Sequence, residues 1–400
     1  MEKYTEVTSL LEKGESPHPS EKDGKRVFRL QNWMAKIPST IPISGLSIPG
    51  THDSCAYTST WPFISTQNLD IKSQLYAGIR YFDFRCGAVN DEIVMVHGRA
   101  TLGLKLEEVL QAMYTWLSTH QTEALIVQIK QDRVSESSTI DFADLVVKTL
   151  TANQQYWRTA CTTPTLGDLR GRIQLLRRFA GPRLWGYGIN VTRWRDNPAT
   201  PFTIHTYFGV HLTIQDHYTS ATSATMPSIV AQKGGDVADM LNRAMRDPDL
   251  THWYINFTSA YEFNAYHQIN PRQIALGAYW LWRWVEGINL RLFGSFMEMK
   301  RKKRRLGMVI MDFPELPEER LIKCVVDTNF EKSAAAGGKV VSARRWMMSL
   351  LVLLLMAATL LVALLVLVMS VDDAEFASME RKMWRLRFLP TWSCCTCILP

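Results

Sequence analysis

The 400-residue chain lacks several features that would assign it early. Its first 30 residues contain no apolar stretch of the kind a secretory leader needs, so no signal peptide is expected. No strong charge excess is present: 45 Lys and Arg against 38 Asp and Glu give +7. Charged residues make up 21%, an ordinary globular share, which excludes wholesale disorder. Nucleic acid is not an expected partner. Cysteine is sparse and odd in number, seven in all, with Cys394, Cys395 and Cys397 close to the C-terminal end; a small disulfide scaffold is excluded. No His/Cys ladder suggests a zinc site and no EF-hand loop pattern occurs, so no metal or cofactor is expected. No short internal repeat is found.

Hydrophobic residues make up 46%, enough for one large domain or two small ones. Met347–Val371 is an uncharged run of 25 residues, almost all Leu, Val, Met and Ala. About 20 such residues span a bilayer core, so a C-terminal transmembrane helix is expected. A buried core helix would show a polar face, which this run lacks. Arg344 and Arg345 precede it, and Asp372 and Asp373 follow. That flank, with the missing leader, implies a single-pass membrane protein whose folded domain faces the cytosol. The tail cysteines are candidates for palmitoylation, or an incidental cluster.

The rest divides into a flexible segment 1–30, a folded region 31–331, a small-residue basic linker 332–346, the span 347–371 and a tail 372–400. Eight short apolar runs punctuate the folded region: Ile43–Ile48, Ile79–Arg85, Ile93–His97, Ala124–Lys130, Ile173–Arg178, Val210–Asp216, Trp253–Phe257 and Met308–Phe313. Helical periodicity falls between several of them, at Leu102–Thr119, Ile140–Ala152 and Val237–Met245. Strand-helix alternation with eight strands predicts an α/β fold, an irregular (β/α)8 TIM barrel. One interval strains that prediction: Cys86–Glu92 is too short for a crossover helix.

Polar residues gather where the runs end. His52 and Asp53 follow the first run, Asp83 and Arg85 close the second, and His97 closes the third. Lys130, Arg178 (or Arg177, if the register slips by one), Asp216 with Tyr218, and Asp312 follow in turn. Taken singly, each has a structural explanation: a barrel-rim ion pair, a turn residue, a structural histidine. Together, at the end of a barrel where chemistry gathers, they suit one task. Two histidines provide a base and an acid, carboxylates orient them, and Arg85 with Lys130 stabilises an anion. That equipment cleaves a phosphodiester without a metal, most readily one whose neighbouring hydroxyl is the nucleophile.

The segments SIPGTHDS, QLYAGIRYFDFRCG and VHG resemble the X domain of phosphatidylinositol-specific phospholipases C. IQLLRRF, IQDHY, YINFTSAY and GMVIMDFP resemble its bacterial-type branch, in the same order, over roughly residues 31–320. The resemblance implies an irregular barrel that releases diacylglycerol and a cyclic inositol phosphate from an inositol phospholipid. It implies His52 as general base with Asp312 as partner, and His97 as general acid with Asp53 as partner. Arg85 is implied on the phosphate with Asp83 beside it, Lys130, Arg178 and Asp216 on the inositol hydroxyls, and Tyr218 under the inositol ring. The animal-type branch carries an Asn calcium ligand where this chain has Asp53, and an Arg replaces another ligand. Calcium independence is therefore expected.

Two further segments suit a lipid surface. Tyr279, Trp280, Trp282 and Trp284 precede a helical pattern at Ile288–Met299; they are either an interfacial cluster or the buried face of a barrel helix. Lys300–Arg305 is an unbroken basic run that fits anionic lipid or a solvated loop. Two other functions remain: a barrel phosphodiesterase for another headgroup, against which Arg85 argues, and a lipid-binding protein with a vestigial site, against which the retained histidines argue.

Overall fold

The computed structural model describes residues 30–219, 225–298, 304–316 and 320–331. The chain divides into two units, Met1–Lys332 and Ser333–Pro400, and every described residue lies in the first. The expectations for residues 1–29, the linker 332–346, Met347–Val371 and the tail 372–400 fall outside the described residues.

In chain order the first strands are β1 (Ser47–Thr51), β2 (Tyr81–Val89), β3 (Glu92–His97), β4 (Ala100–Lys105), β5 (Leu125–Gln131), β6 (Trp157–Arg158), β7 (Ile173–Arg178) and β8 (Ile189–Asn190). They are followed by β9 (Phe202–His205), β10 (His211–Gln215), β11 (Trp253–Phe257), β12 (Glu262–Phe263), β13 (Gln268–Ile269), β14 (Gly277–Trp280), β15 (Arg283–Glu286) and β16 (Gly307–Met311). The α-helices are α1 (Ile71–Ala77), α2 (Leu106–Thr119), α3 (Phe142–Thr151), α4 (Leu166–Leu169), α5 (Met226–Arg246), α6 (Pro271–Leu276), α7 (Ile288–Glu298) and α8 (Arg320–Asp327).

One mixed sheet carries the fold, in the order β6-β7-β5-β2-β1-β16-β11-β10-β9. Its strands are parallel except at the β9 edge, where β9 runs antiparallel to β10. β8 also pairs with β7, and β3 and β4 form an antiparallel extension of β2. No ladder joins the β6/β8 edge to β9 among the described residues.

The closed (β/α)8 barrel expected from the run count is therefore corrected to a curled, open half-barrel. Two local causes are visible. Asn90 and Asp91 both adopt positive φ, 52° and 61°, as a two-residue hairpin turn requires, so the third run returns beside β2 instead of crossing over. Between β7 and β10 the described chain contains no helix, only the short strands β8 and β9. The expected transmembrane helix is corrected as well. No helix among the described residues is long and apolar enough to cross a membrane, so a single-pass membrane location has no support from the structure.

Boundaries moved for readable reasons. Ile43–Gly45 is a single 3-10 turn behind Pro42, and the first strand begins only at Ser47. Gly50 then lets β1 approach its neighbours: a Cβ there would lie 2.7 Å from the Ile310 side chain and 2.8 Å from Tyr81 Cβ. Leu102–Lys105, predicted as helix, belongs to β4; α2 starts at Leu106 with Glu107 and Glu108 in its first turn.

Strand alternation positions the site. The inward positions read Ile48, Gly50, His52 along β1, and Tyr81, Asp83, Arg85 along β2. They read Ile126, Gln128, Lys130 on β5, Leu176, Arg178 on β7, Leu212, Ile214, Asp216 on β10, and Met308, Ile310, Asp312 on β16. The early members build one buried core, with Ile48, Tyr81, Ile126, Leu176, Leu212, Ile214, Met308 and Ile310 packed together. The last members are polar and emerge at one end. The outward set, including Phe82, Phe84, Val127 and Leu175, packs against α2 and α3 in a second core.

Candidate active site

Register sets the cations in a row. Arg85 pairs with Lys130 across β2 and β5, and Lys130 with Arg178 across β5 and β7. On the other side of β2, the β1 ladder is prolonged by the His52 amide, which donates to Met311 O at 3.0 Å and so sets His52 beside Asp312.

His52 Nδ1 lies 2.8 Å from Asp312 Oδ1, and its Nε2 lies 2.6 Å from Arg85 Nη2. A guanidinium can only donate, so Nε2 accepts and Nδ1 carries the hydrogen that Asp312 receives. The Asp312 carboxylate is 1% exposed. Asn289 on α7 holds the turn behind it, donating to Asp312 O at 2.9 Å and Phe313 O at 3.1 Å. Gln67 donates to His52 O and Met311 O, fixing the same junction.

Arg85 lies 3.3 Å from Asp83 Oδ2 and 3.6 Å from Asp53 Oδ2. Burial opposes its charge, but Asp83, Asp53, Asp132 and Asp216 together hold its pKa above the usual value. Burial also acts to raise Asp83, yet Arg85, His52 and Arg178 prevail and its pKa lies below the ordinary carboxylate value. Gln128 supports that carboxylate, donating to Asp83 Oδ1 at 2.6 Å. Asp53 differs. Burial raises its pKa despite His97, Arg85 and His52, and its carboxylate accepts no hydrogen bond among the described residues. It reaches the site from off the strand stripe because its own φ is +42°. His97 Nδ1 lies 3.1 Å from Asp53 Oδ2 but directs its hydrogen at Ile64 O, 2.9 Å away. Contacts therefore run His52–Arg85–Asp53–His97, with the guanidinium between the imidazoles.

The other four candidate residues fan out around this group. Lys130 is ion-paired with Asp132, whose pKa is pulled down to about 2: burial opposes the shift, and Arg85 and Lys130 outweigh it. Asp132 also accepts from Gly98 N at 3.1 Å, tying Lys130 to the turn beside His97. Arg178 stacks over Trp194 at 4.3 Å, and Trp194 Nε1 donates to Asp216 Oδ2 at 2.8 Å. Tyr218 stacks on Tyr261 at 6.0 Å and donates to Asp196 Oδ1 at 2.8 Å, toward the rim. Arg177, the alternative in register, faces away from the site. Behind the β10 end, Lys233 donates to Gln215 Oε1 at 3.1 Å and His217 O at 2.7 Å; burial pulls its pKa down to about 8.

Gln128, Asp132, Trp194, Lys233 and Asn289 were not singled out in the sequence. Gln128 and Asp132 flank Lys130 at two-residue spacing, so strand alternation could have found them. No periodic signal marks the other three.

The aromatic segment is neither a helix nor buried. β14 and β15 form a hairpin with Leu281 and Trp282 at its tip, 74% and 88% exposed. Trp280 packs on His267 at 5.1 Å, and Phe263 on Phe63 at 4.9 Å, which joins this hairpin to the loops around the site. The basic run is partly corrected. Lys300–Lys303 lies outside the described residues, while Arg305 is 8% exposed and donates to Ala244 O and Asp247 O at the end of α5. Arg305 serves the helix terminus, where free carbonyls attract a cation.

Residues 40–179 match the family model for the phosphatidylinositol-specific phospholipase C X domain. A 1-phosphatidylinositol phosphodiesterase of Staphylococcus aureus is 30% identical over 242 residues, 57% of this chain and 75% of that protein. One from Listeria monocytogenes is 28% identical over 323 residues, 76% and 87% of the two chains. A solved variant of the phosphatidylinositol-specific phospholipase C from Staphylococcus aureus superposes with a TM-score of 0.63 at 24% identity, covering 76% of this chain and all of that one, and so shares the fold. By sequence over most of a relative's length, the chain belongs to the bacterial-type phosphatidylinositol-specific phospholipase C family and is a phospholipase C-like phosphodiesterase.

Proposed function

We propose that this protein cleaves phosphatidylinositol-type lipids to diacylglycerol and a cyclic inositol phosphate, by paired-histidine acid-base catalysis and without a metal ion. The single observation that carries the reading is the Arg85 guanidinium set between His52 Nε2 and the Asp53–His97 pair. The relatives named above support the substrate class.

In this mechanism the substrate phosphate takes over the Arg85 contact, which frees His52 Nε2. Nε2 accepts the proton of the inositol 2-hydroxyl, and the resulting oxygen attacks phosphorus to close the cyclic phosphate. Asp312 stabilises the imidazolium that forms. His97 Nδ1 is engaged by Ile64 O, so Nε2 is the atom that gives a proton to the departing glycerol oxygen. Arg85 meets the charge that develops on the phosphate oxygens. A guanidinium already occupies the space between Asp83 and Asp53 where a divalent ion would sit, which supports metal independence. Arg178, Asp216, Lys130 and Tyr218 bind the inositol ring in this reading. The exposed hairpin tip, with Phe263 and Tyr266, meets the bilayer that holds the substrate.

The deciding experiment is turnover of phosphatidylinositol vesicles in excess EDTA, with the water-soluble product identified by phosphorus NMR. Cyclic inositol phosphate, formed at an undiminished rate, is the expected result. Activity lost to EDTA and restored by calcium would overturn the metal-free mechanism; no turnover under any condition would overturn the enzymatic reading.

A further inference from the structure

The open edge of the half-barrel holds a cavity of about 370 Å³ that the reaction above does not use. It lies at the seam between β8 and β9. Arg177 lines it, and strand alternation turns Arg177 outward because its neighbours Leu176 and Arg178 both face inward.

Arg177 is unusual in its surroundings. It is 6% exposed. Its Nε donates to Tyr187 O at 2.9 Å and its Nη1 to Phe179 O at 2.7 Å, both neutral carbonyls. No carboxylate pairs with it among the described residues, and no Asp or Glu lines the cavity. A buried cation is ordinarily paired, because desolvation is expensive. Here burial lowers the pKa with no acid to oppose it. Arg193 and His205 line the same cavity and add to its basic character.

Beside these cations stands an aromatic patch. Trp185 contacts Tyr207 and Phe208 at 4.7 and 5.5 Å between ring centroids, and Tyr207 contacts Phe208 at 5.4 Å. Trp185 and Tyr207 are nonetheless 73% and 81% exposed. Three rings held against one another at the lip of a basic cavity present apolar faces next to an uncompensated positive charge.

We propose that this seam cavity is a second binding site, for a phosphate monoester carried on a sugar or cyclic polyol ring. Arg177 and Arg193 take the phosphate, and the Trp185–Tyr207–Phe208 patch takes the ring face. The guanidinium matches phosphate geometry, and a ring with one apolar face suits the exposed aromatics.

Isothermal titration of the whole protein tests this with glucose 6-phosphate, myo-inositol 1-phosphate, glucose and inorganic phosphate. Dependence on Arg177 separates the seam from the catalytic pocket. Saturable binding of one or both sugar phosphates is expected, weakened about tenfold or more in Arg177→Met. Arg193→Gln and Tyr207→Ser alter exposed side chains and keep the test valid if Arg177→Met unfolds. Each should weaken binding about threefold or more, and Tyr207→Ser should leave lipid turnover unchanged. Glucose alone should not bind, and inorganic phosphate should bind about tenfold more weakly than the sugar phosphate. The proposal is overturned by no saturable binding, by affinity unchanged in all three variants, or by inorganic phosphate binding as tightly as a sugar phosphate.

Discussion

Replacing Arg85 with Met probes the electrostatic design of the site in one step. The side chain is 17% exposed, and its guanidinium lies 3.3 Å from Asp83 and 3.6 Å from Asp53. Removing one partner of a buried ion pair costs about 3–5 kcal/mol, because the charge left behind has no compensation. A loss of about 3 kcal/mol in unfolding free energy is expected at pH 8. The loss should depend on pH, with a definite sign. In the native protein the Asp83 pKa is lowered, so that group contributes stability above the unfolded carboxylate value of about 3.9 and loses it as pH falls through the folded value. Without Arg85, burial dominates and the folded pKa rises above the unfolded one. The folded variant then binds a proton that the unfolded chain does not, and its stability increases as pH falls, by up to about 1.4 kcal/mol per pH unit. Asp53, already raised by burial, moves the same way. The gap between native protein and variant should therefore be widest near pH 8 and shrink toward pH 5. Urea unfolding followed by circular dichroism at both pH values measures it. A gap that stays constant across that range refutes the carboxylate-pairing argument. Turnover should fall about 10³-fold in the same variant, and Arg85→Lys should recover little of it, since an ammonium cannot hold two carboxylates and a phosphate in a fixed fork.

The remaining predictions concern catalysis and docking. His52→Ala and His97→Ala should each lower turnover by about 10²–10⁴-fold with a native-like circular dichroism spectrum, and the native rate should be bell-shaped in pH; a single limb between about pH 4 and 9 would count against the pair. Trp194→Phe removes the donor to Asp216 while keeping the ring over Arg178, so KM should rise about tenfold with kcat little changed. Equal losses in kcat and kcat/KM would show that Trp194 acts in the transition state instead. Leu281→Asp with Trp282→Ala should weaken sedimentation with phosphatidylinositol vesicles and slow vesicle turnover, but leave dispersed short-chain substrate unaffected. Unchanged vesicle binding would remove the hairpin from the docking surface.

Part of this architecture is written in local pattern. A parallel strand with an apolar inward stripe that ends in a charged residue can be read two residues at a time, as in Ile126-Gln128-Lys130 or Met308-Ile310-Asp312. The Asp83–Arg85 spacing puts both side chains on one face wherever the strand lies. The outward position of Arg177 follows from the same alternation once Arg178 is taken as inward, although the sequence left that register open.

Other features depended on where the strands came to rest. Whether the sheet closes is decided by register between edges distant in sequence, and the 179–210 segment places β8 and β9 without joining them. The Cys86–Glu92 interval was legible as too short for a crossover helix, yet the count of eight runs still favoured a barrel. Trp194, Lys233 and Asn289 come from a loop and two helices whose side chains face the site through tertiary packing, so no periodicity marks them. The aromatic run at Tyr279–Trp284 has the composition of a buried helix face or of an exposed tip; only the turn at Leu281 (φ +55°), which pairs Gly277–Trp280 with Arg283–Glu286, decides between them. Composition and alternation are properties of neighbouring residues, and so the sequence carries them alone. Sheet closure, the ion-pair chain from His52 to His97 and the unpaired charge of Arg177 are relations between residues far apart in the chain, and they come into being only when the sheet brings those residues within a few ångströms.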